Sequence, residues 1–225
     1  MDEHPGLSDV KLVVARFDAE IRALPVRNAP NVRAVRRRYS RELKTAEPAF
    51  VLDLARELVE VYGYRGTAYE LILFHRGAFQ RLGEAEVEEL GRGINSWGSV
   101  DSFSRLVSGP AWRDGQVSDE LIHRWTRSED RWWRRAALVS TVALNVRSHG
   151  GMGDVPRTLD VCRLLVDDPD DMVVKALSWA LRELVVHDPE AVRSFVEENE
   201  DRLAARVKRE VGNKLTTGLK NPKRK

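Results

Sequence analysis

An all-α protein of stacked helical hairpins is predicted, and three observations carry that prediction. Apolar residues recur at intervals of three and four along almost every segment of the 225-residue chain, the spacing that lines one face of a helix. No stretch alternates at period two over strand length, so a β-sheet is not expected. Charged residues make up 32% of the chain, above the rough quarter usual for a soluble domain, which suits helices with solvated faces.

The elements follow in order. Ser8 caps a first helix to about Leu24, with Val10, Val13, Val14, Phe17, Ile21 and Leu24 on its apolar side and Pro25 ending it. A second helix follows Pro30 and runs to about Lys44. Pro48 opens a third, with Phe50, Val51, Leu54, Leu58 and Val61 inward and Gly63 closing it. The fourth follows Gly66 and ends near Gly83, with Tyr69, Ile72, Leu73 and Phe79 apolar and Arg76 interrupting that side. Shorter helices fit Glu84–Ile94 and Val100–Val107. Ser118 then caps one to about Arg127, and Glu129 starts a long one to about His149, broken by Gly150-Gly151-Met152-Gly153. Pro156 begins the next, Asp170 or Asp171 caps another to His187, Pro189 sits in the first turn of one more, and the last covers Asp201–Thr217. Hairpins so joined bury each other's apolar faces and leave a long concave surface. A plain helical bundle is the alternative. The expected organisation is one domain over residues 1–218 and a disordered basic tail over 219–225.

Several classes are excluded. No apolar run approaches the ~18–20 residues that span a bilayer. Met1-Asp2-Glu3-His4-Pro5-Gly6 has neither a basic nor an apolar region of the signal-peptide kind, so none is expected. Cys162 is the single cysteine, which excludes an intrachain disulfide, and its amphipathic helix makes it a small buried hydrophobe. The histidines lack partners at metal-ligand spacing, so no metal is expected. Asp167-Asp168-Pro169-Asp170-Asp171 does not match a calcium loop and reads as a helix cap.

The net charge of +2 is unevenly distributed. From Arg202 to Lys225 there are nine Lys and Arg against one acid, Glu210, while the rest of the chain is slightly acidic. Arg27, Arg33, Arg36, Arg37, Arg38 and Arg41 form a second basic cluster. Arg124, Arg127, Arg131, Arg134 and Arg135 form a third, interleaved with Trp125, Trp132 and Trp133 and diluted by Glu129 and Asp130. Each cluster alone reads equally well as a solvated helix face. Together they favour a polyanion, nucleic acid first.

All six tryptophans lie between Trp97 and Trp179. Packing is the plain reading for each, but their company is informative. Trp97-Gly98-Ser99-Val100-Asp101 sets an indole and a carboxylate one helical turn apart. Arg131 and Arg135 share a face near Trp132, and Lys175, Trp179 and Arg182 share another. A cation–aromatic–cation stripe suits a surface that holds phosphates with its charges and a sugar or base with its ring.

Three segments carry a resemblance: Ser96–Ser102, Trp133–Leu138 and Lys175–Glu183. With Pro189–Val192 and Lys208–Glu210, they make the chain from about Asn95 to Leu215 similar to the AlkD-like DNA alkylation repair glycosylases. The similarity is general over the first 90 residues. The resemblance implies a curved superhelical array of HEAT-like antiparallel helical hairpins. It implies removal of cationic alkylpurines from double-stranded DNA by hydrolysis of the N-glycosidic bond, without a base-flipping pocket or a cofactor. Asp101 is then the catalytic carboxylate, Trp97 and Trp179 are aromatic walls at the deoxyribose, and Arg135 holds the DNA backbone. Lys175, Arg182 and Arg131 complete the DNA-binding set, and Asn28 is the candidate contribution from the N-terminal helices. The whole reads as a cytoplasmic, nucleoid-associated monomer with no membrane partner. A catalytically silent DNA-binding relative and a protein-interaction scaffold are the alternatives.

Overall fold

The computed structural model describes residues 9–222, and every regular element among them is helical. Ser8 and the terminal Lys223, Arg224 and Lys225 lie outside the described residues. The chain divides into two compact units, Met1–Arg92 and Gly93–Lys225.

The first unit holds α1 (Val10–Arg22), α2 (Ala29–Glu42), α3 (Pro48–Glu60), α4 (Arg65–Leu73), α5 (Arg76–Gln80) and α6 (Glu84–Gly91). Asp9 caps α1 by accepting the backbone N–H groups of Lys11 and Leu12. Asn28 caps α2 in the same way, its Oδ1 accepting from the Asn31 N–H at 3.0 Å, so its side chain is engaged in holding that helix start. In the core Phe17 meets Tyr39 and Tyr64 edge-on, with ring centroids at 5.1 and 5.7 Å. Val51, Leu58 and Ile72 are fully buried in the same unit.

Two expectations are corrected in this unit. The single helix from Gly66 to Gly83 is two, α4 and α5, because the chain turns at Phe74 and His75. The His75 ring nitrogen Nδ1 caps α5 by accepting from the Ala78 N–H at 3.0 Å. The break leaves Arg76 exposed, where a continuous helix would carry it along the apolar side. Val61, expected inward, is exposed because α3 stops at Glu60 and Val61 is only its C-cap.

The second unit holds α7 (Trp97–Phe103), a π-helical turn (Ser104–Ser108), α8 (Gly109–Arg113), α9 (Asp119–Thr126) and α10 (Arg131–Asn145). A 3₁₀ turn (Arg147–His149) leads to α11 (Val155–Leu164), α12 (Asp171–Leu184), α13 (Pro189–Glu198) and α14 (Ala205–Thr217). Ser118, Asp130, Asp154, Asp170 and Asp188 each cap a helix by accepting a backbone N–H. Several ends differ from the sequence reading. Asp130 rather than Glu129 begins α10, α12 ends at Leu184 before His187, and α14 starts at Ala205 rather than Asp201. The helix expected over Val100–Val107 is the middle of a longer composite, α7–π–α8.

Packing in this unit is repetitive although the sequence is not. The α7–π–α8 segment packs on α10, α10 on α12, and α12 on α14. Helices α10 and α12 run in the same direction: Arg131 meets Asp170 at their starts, and the His187 ring meets the Asn145 carbonyl at their ends. Side-chain pairs across these seams join residues 32, 34 and 39 positions apart, which is the spacing of a helical repeat. The α7–π–α8 seam is close because small residues line it. The Ser108 and Ser140 hydroxyls lie 2.7 Å apart, and the Ser104 hydroxyl donates to the Ala136 carbonyl at 3.3 Å. A Cβ on Gly109 would come within 2.6 Å of the Ala143 Cβ and 2.7 Å of the Ser140 carbonyl oxygen.

Candidate functional site

The start of α7 is built by a reciprocal cap. The Ser96 hydroxyl accepts from the Ser99 N–H at 3.3 Å, and the Ser99 hydroxyl accepts from the Ser96 N–H at 3.1 Å. This fixes Trp97 as the first helical residue and sets Asp101 one turn beyond it. Trp97 is 65% exposed. A Cβ on neighbouring Gly98 would meet nothing within 4 Å, so crowding does not account for that glycine.

Asp101 faces α10 and is gripped by Arg135. The Arg135 Nε donates to Asp101 Oδ1 at 2.9 Å and Nη2 to Oδ2 at 3.0 Å, a two-pronged pair that fixes the plane of the carboxylate. Arg135 Nη1 donates to the Met172 carbonyl at 2.5 Å, tying the pair to the first turn of α12. The Arg135 side chain is only 7% exposed and that of Asp101 17%. A carboxylate carries about four acceptor sites, so two guanidinium bonds leave Asp101 able to accept from water.

Two further cations of the third basic cluster, Arg134 and Arg131, are tied into the seam with α12. Arg134 reaches Asp168 at 2.6 Å and donates to the Ser128 and Glu129 carbonyls, each at 2.9 Å. Arg131 reaches Asp170 at 3.3 Å with its guanidinium over the Trp132 ring. The acidic turn serves them all: Asp168 takes Arg134, Asp170 caps α12, Asp171 takes Lys175 at 2.6 Å and Asp167 takes Arg202 at 2.9 Å.

The six tryptophans sort by position. Trp112 is buried, its indole N–H donating to Asp119 at 2.6 Å. Trp125 and Trp133 pack at 4.8 Å, each also meeting Phe103 at 5.9 Å. Trp97, Trp132, Trp133 and Trp179 keep part of their surface in solvent. Trp179 donates its indole N–H to Glu183 at 2.9 Å and carries the Arg105 guanidinium 5.9 Å from its ring centroid. Arg105 belongs to the π turn, and nothing in its local sequence marks it.

The expected Lys175–Trp179–Arg182 stripe does not stay together. Lys175 is held by Asp171, whereas Arg182 turns inward, donating to the Ser178 hydroxyl at 3.3 Å and lying 3.9 Å from Glu210. Buried Glu210 is the reason. Ser178 donates to it at 2.7 Å, and Arg206, Arg209 and Lys220 lie 3.5, 3.8 and 3.4 Å away. An almost unexposed carboxylate draws every nearby cation toward itself. Lys220 is thereby drawn onto α14, where its carbonyl also accepts from Asn213.

Burial alone would raise the Glu210 carboxyl, but the Ser178 hydroxyl and the surrounding cations outweigh it and hold the carboxyl below its ordinary range. A carboxyl depressed in the folded state contributes stability above its unfolded value, and that contribution is lost as pH falls through the folded value. Folding stability is therefore expected to decline as pH drops below about 4.3. In urea titrations at pH 7 and pH 3, Glu210→Gln should show a smaller difference between the two than the wild type. Equal differences would remove Glu210 from the acid response.

Among the described residues, no group of three or more His, Cys, Asp and Glu is placed to hold a metal ion, and no helix is long and apolar enough to cross a membrane. Cys162 is fully buried, and burial pushes its thiol far up, so it stays protonated and unreactive.

The basic cluster of α2 is partly internal. Arg36 is buried against Glu70 at 2.7 Å and over the Phe74 ring, and Arg38 pairs with Glu20 and Glu42. Arg27, Arg37 and Arg41 remain exposed.

A family model described as DNA alkylation repair enzyme matches residues 15–215 of the chain. No curated protein matches it.

Proposed function

Because the chain belongs to the DNA alkylation repair enzyme family, we propose that it is a monofunctional DNA glycosylase that removes cationic alkylpurines from double-stranded DNA. The observation that carries this reading is the Asp101 carboxylate, held in one orientation by Arg135 at 2.9 and 3.0 Å and still open to solvent on one side.

Alkylation at N7 of guanine or N3 of adenine makes the base a cation and a good leaving group, so no acid is needed to protonate it. Positive charge then grows on the sugar, as in glycoside hydrolysis generally. A fixed carboxylate stabilises that charge and orients the attacking water. Trp97 and Trp179 present ring faces that favour a cation and exclude bulk water. Arg135 acts here as the residue that positions Asp101. A lyase would need a free amine at the sugar, and Lys175 on α12 is instead held by Asp171 at 2.6 Å. This supports water as the acceptor and an abasic site as the product.

The seams of α7, α10, α12 and α14 support reading the helical pairs as HEAT-like repeats, whose curved array is the arrangement that the sequence resemblance implies. Exposed Arg37 and Arg41 on α2 and Arg209 on α14 supply sequence-independent attraction to phosphate. The enzyme is read as a cytoplasmic monomer acting on the nucleoid, without metal or organic cofactor.

The test is release of free 7-methylguanine from methylated duplex DNA. Release above the spontaneous rate is the expected result. Salt-sensitive duplex binding without release would instead favour the silent DNA-binding relative, and the absence of both would leave the interaction scaffold.

A further inference from the structure

The cations of α10, α12 and the π turn can be accounted for one by one, and a single one is left over. Arg135 is bound to Asp101 and the Met172 carbonyl, Arg134 to Asp168, Arg131 to Asp170, and Lys175 to Asp171. Arg182 is turned toward Glu210. Arg105 alone in this set has no carboxylate within 4.0 Å among the described residues, and its side chain makes no hydrogen bond to them. Its side chain is half-buried rather than trailing in solvent, and its guanidinium lies 5.9 Å from the Trp179 ring centroid.

Its place follows from the π turn. Asp101 faces α10 from the last turn of α7, and Ser104 and Ser108 keep that face through the turn, bonded to Ala136 and Ser140. Arg105, next to Ser104, is rotated off that face toward α12 and comes to rest at Trp179. A half-buried guanidinium without a counter-ion is unfavourable unless an anion joins it. Arginine on an aromatic face, with its fork of donors open, is the arrangement that phosphodiester groups select.

The geometry points to Arg105 as the residue that grips the DNA phosphodiester beside the reacting sugar, with the Trp179 ring holding the guanidinium in place. This rests on the glycosylase reading and adds a division of labour to it: Arg135 sets the carboxylate, and Arg105 sets the strand. The backbone-holding role that sequence resemblance attaches to Arg135 falls to Arg105 instead.

The test compares wild type, Arg105→Met and Arg105→Lys in full-length protein. Affinity for a short methylated duplex is measured across salt concentrations, alongside release of 7-methylguanine. Methionine keeps an apolar stem over Trp179 but removes the charge. Arg105→Met is expected to make the slope of log affinity on log salt shallower by about 0.9, the increment of one phosphate contact, and to weaken binding several-fold. Arg105→Lys is expected to keep the wild-type slope. If wild type binds and releases base while Arg105→Met keeps the full slope, Arg105 makes no phosphate contact and the glycosylase reading stands without it. If both variants lose the slope together with thermal stability, Arg105 is a packing residue and the assignment is wrong. If wild type itself neither binds duplex nor releases base, the glycosylase reading fails and Arg105 goes with it.

Discussion

Asp101→Asn is expected to lower the single-turnover rate of base release by at least about 100-fold, the loss typical when one electrostatic stabiliser of a transition state is removed. Two effects act together. The amide carries no charge to set against the forming sugar cation. Its NH₂ group would also face a guanidinium donor, because Arg135 presents N–H groups to both carboxylate oxygens. Arg135 is nearly unexposed, so an uncompensated guanidinium there should also destabilise the fold. Thermal denaturation run beside the rate assay separates the two, with a moderate fall in melting temperature and a far larger fall in rate expected. A rate within a factor of about three of wild type would remove Asp101 from the chemistry, since that is less than a single hydrogen bond is worth.

Gly109→Ala is expected to cost about 3 kcal/mol of folding stability, the upper end for overpacking a well-filled seam. The added Cβ would lie 2.6 Å from both the Ala143 Cβ and the Ser104 carbonyl oxygen, and 2.7 Å from the Ser140 carbonyl oxygen. Two of these neighbours are backbone atoms, and none is the end of a flexible side chain that could swing away. For a chain of this size the loss corresponds to a fall of roughly 6–12 °C in melting temperature. A melting temperature within a degree or two of wild type would mean that the seam opens without cost. The same substitution should slow base release, because α10 would be pushed away from the segment that presents Asp101.

Most of the helical architecture was legible because the punctuation is chemical. Pro48, Pro156 and Pro189, with the capping Asp and Ser residues, mark helix starts by what they do to backbone N–H groups, and that survives without any homologue. Failures occur where tertiary packing decides. Arg76 marks the weak point of the helix expected up to Gly83, but only the His75 cap reveals that α5 starts anew there. No propensity scale distinguishes the π turn from α-helix. Of the candidate site residues that the sequence singles out, Trp97, Asp101, Arg135 and Trp179, the structure joins Asp101 to Arg135 directly. Arg182 was misread because a charged residue at helical spacing beside a tryptophan looks solvent-facing, while the buried partner that turns it inward, Glu210, lies 28 residues away in the chain. Arg105 escapes a sequence reading for a related reason: its aromatic partner, Trp179, lies 74 residues away, and nothing adjacent marks it.

The π turn also sets a phase relation. Its defining bond runs from the Gly109 N–H back five residues to the Ser104 carbonyl, one residue more than an α-helical bond spans. That residue is a local offset in rotation, about 100° for an ordinary helical position. The offset lets α7 aim Asp101 at Arg135 while α8 seats Gly109 against Ala143. Without it the two halves would compete for the same angular setting, and either the carboxylate or the tight seam would point the wrong way. Deleting one residue between 104 and 108 would therefore act like turning a key by a single notch, with every atom of the site still present and none of them in alignment.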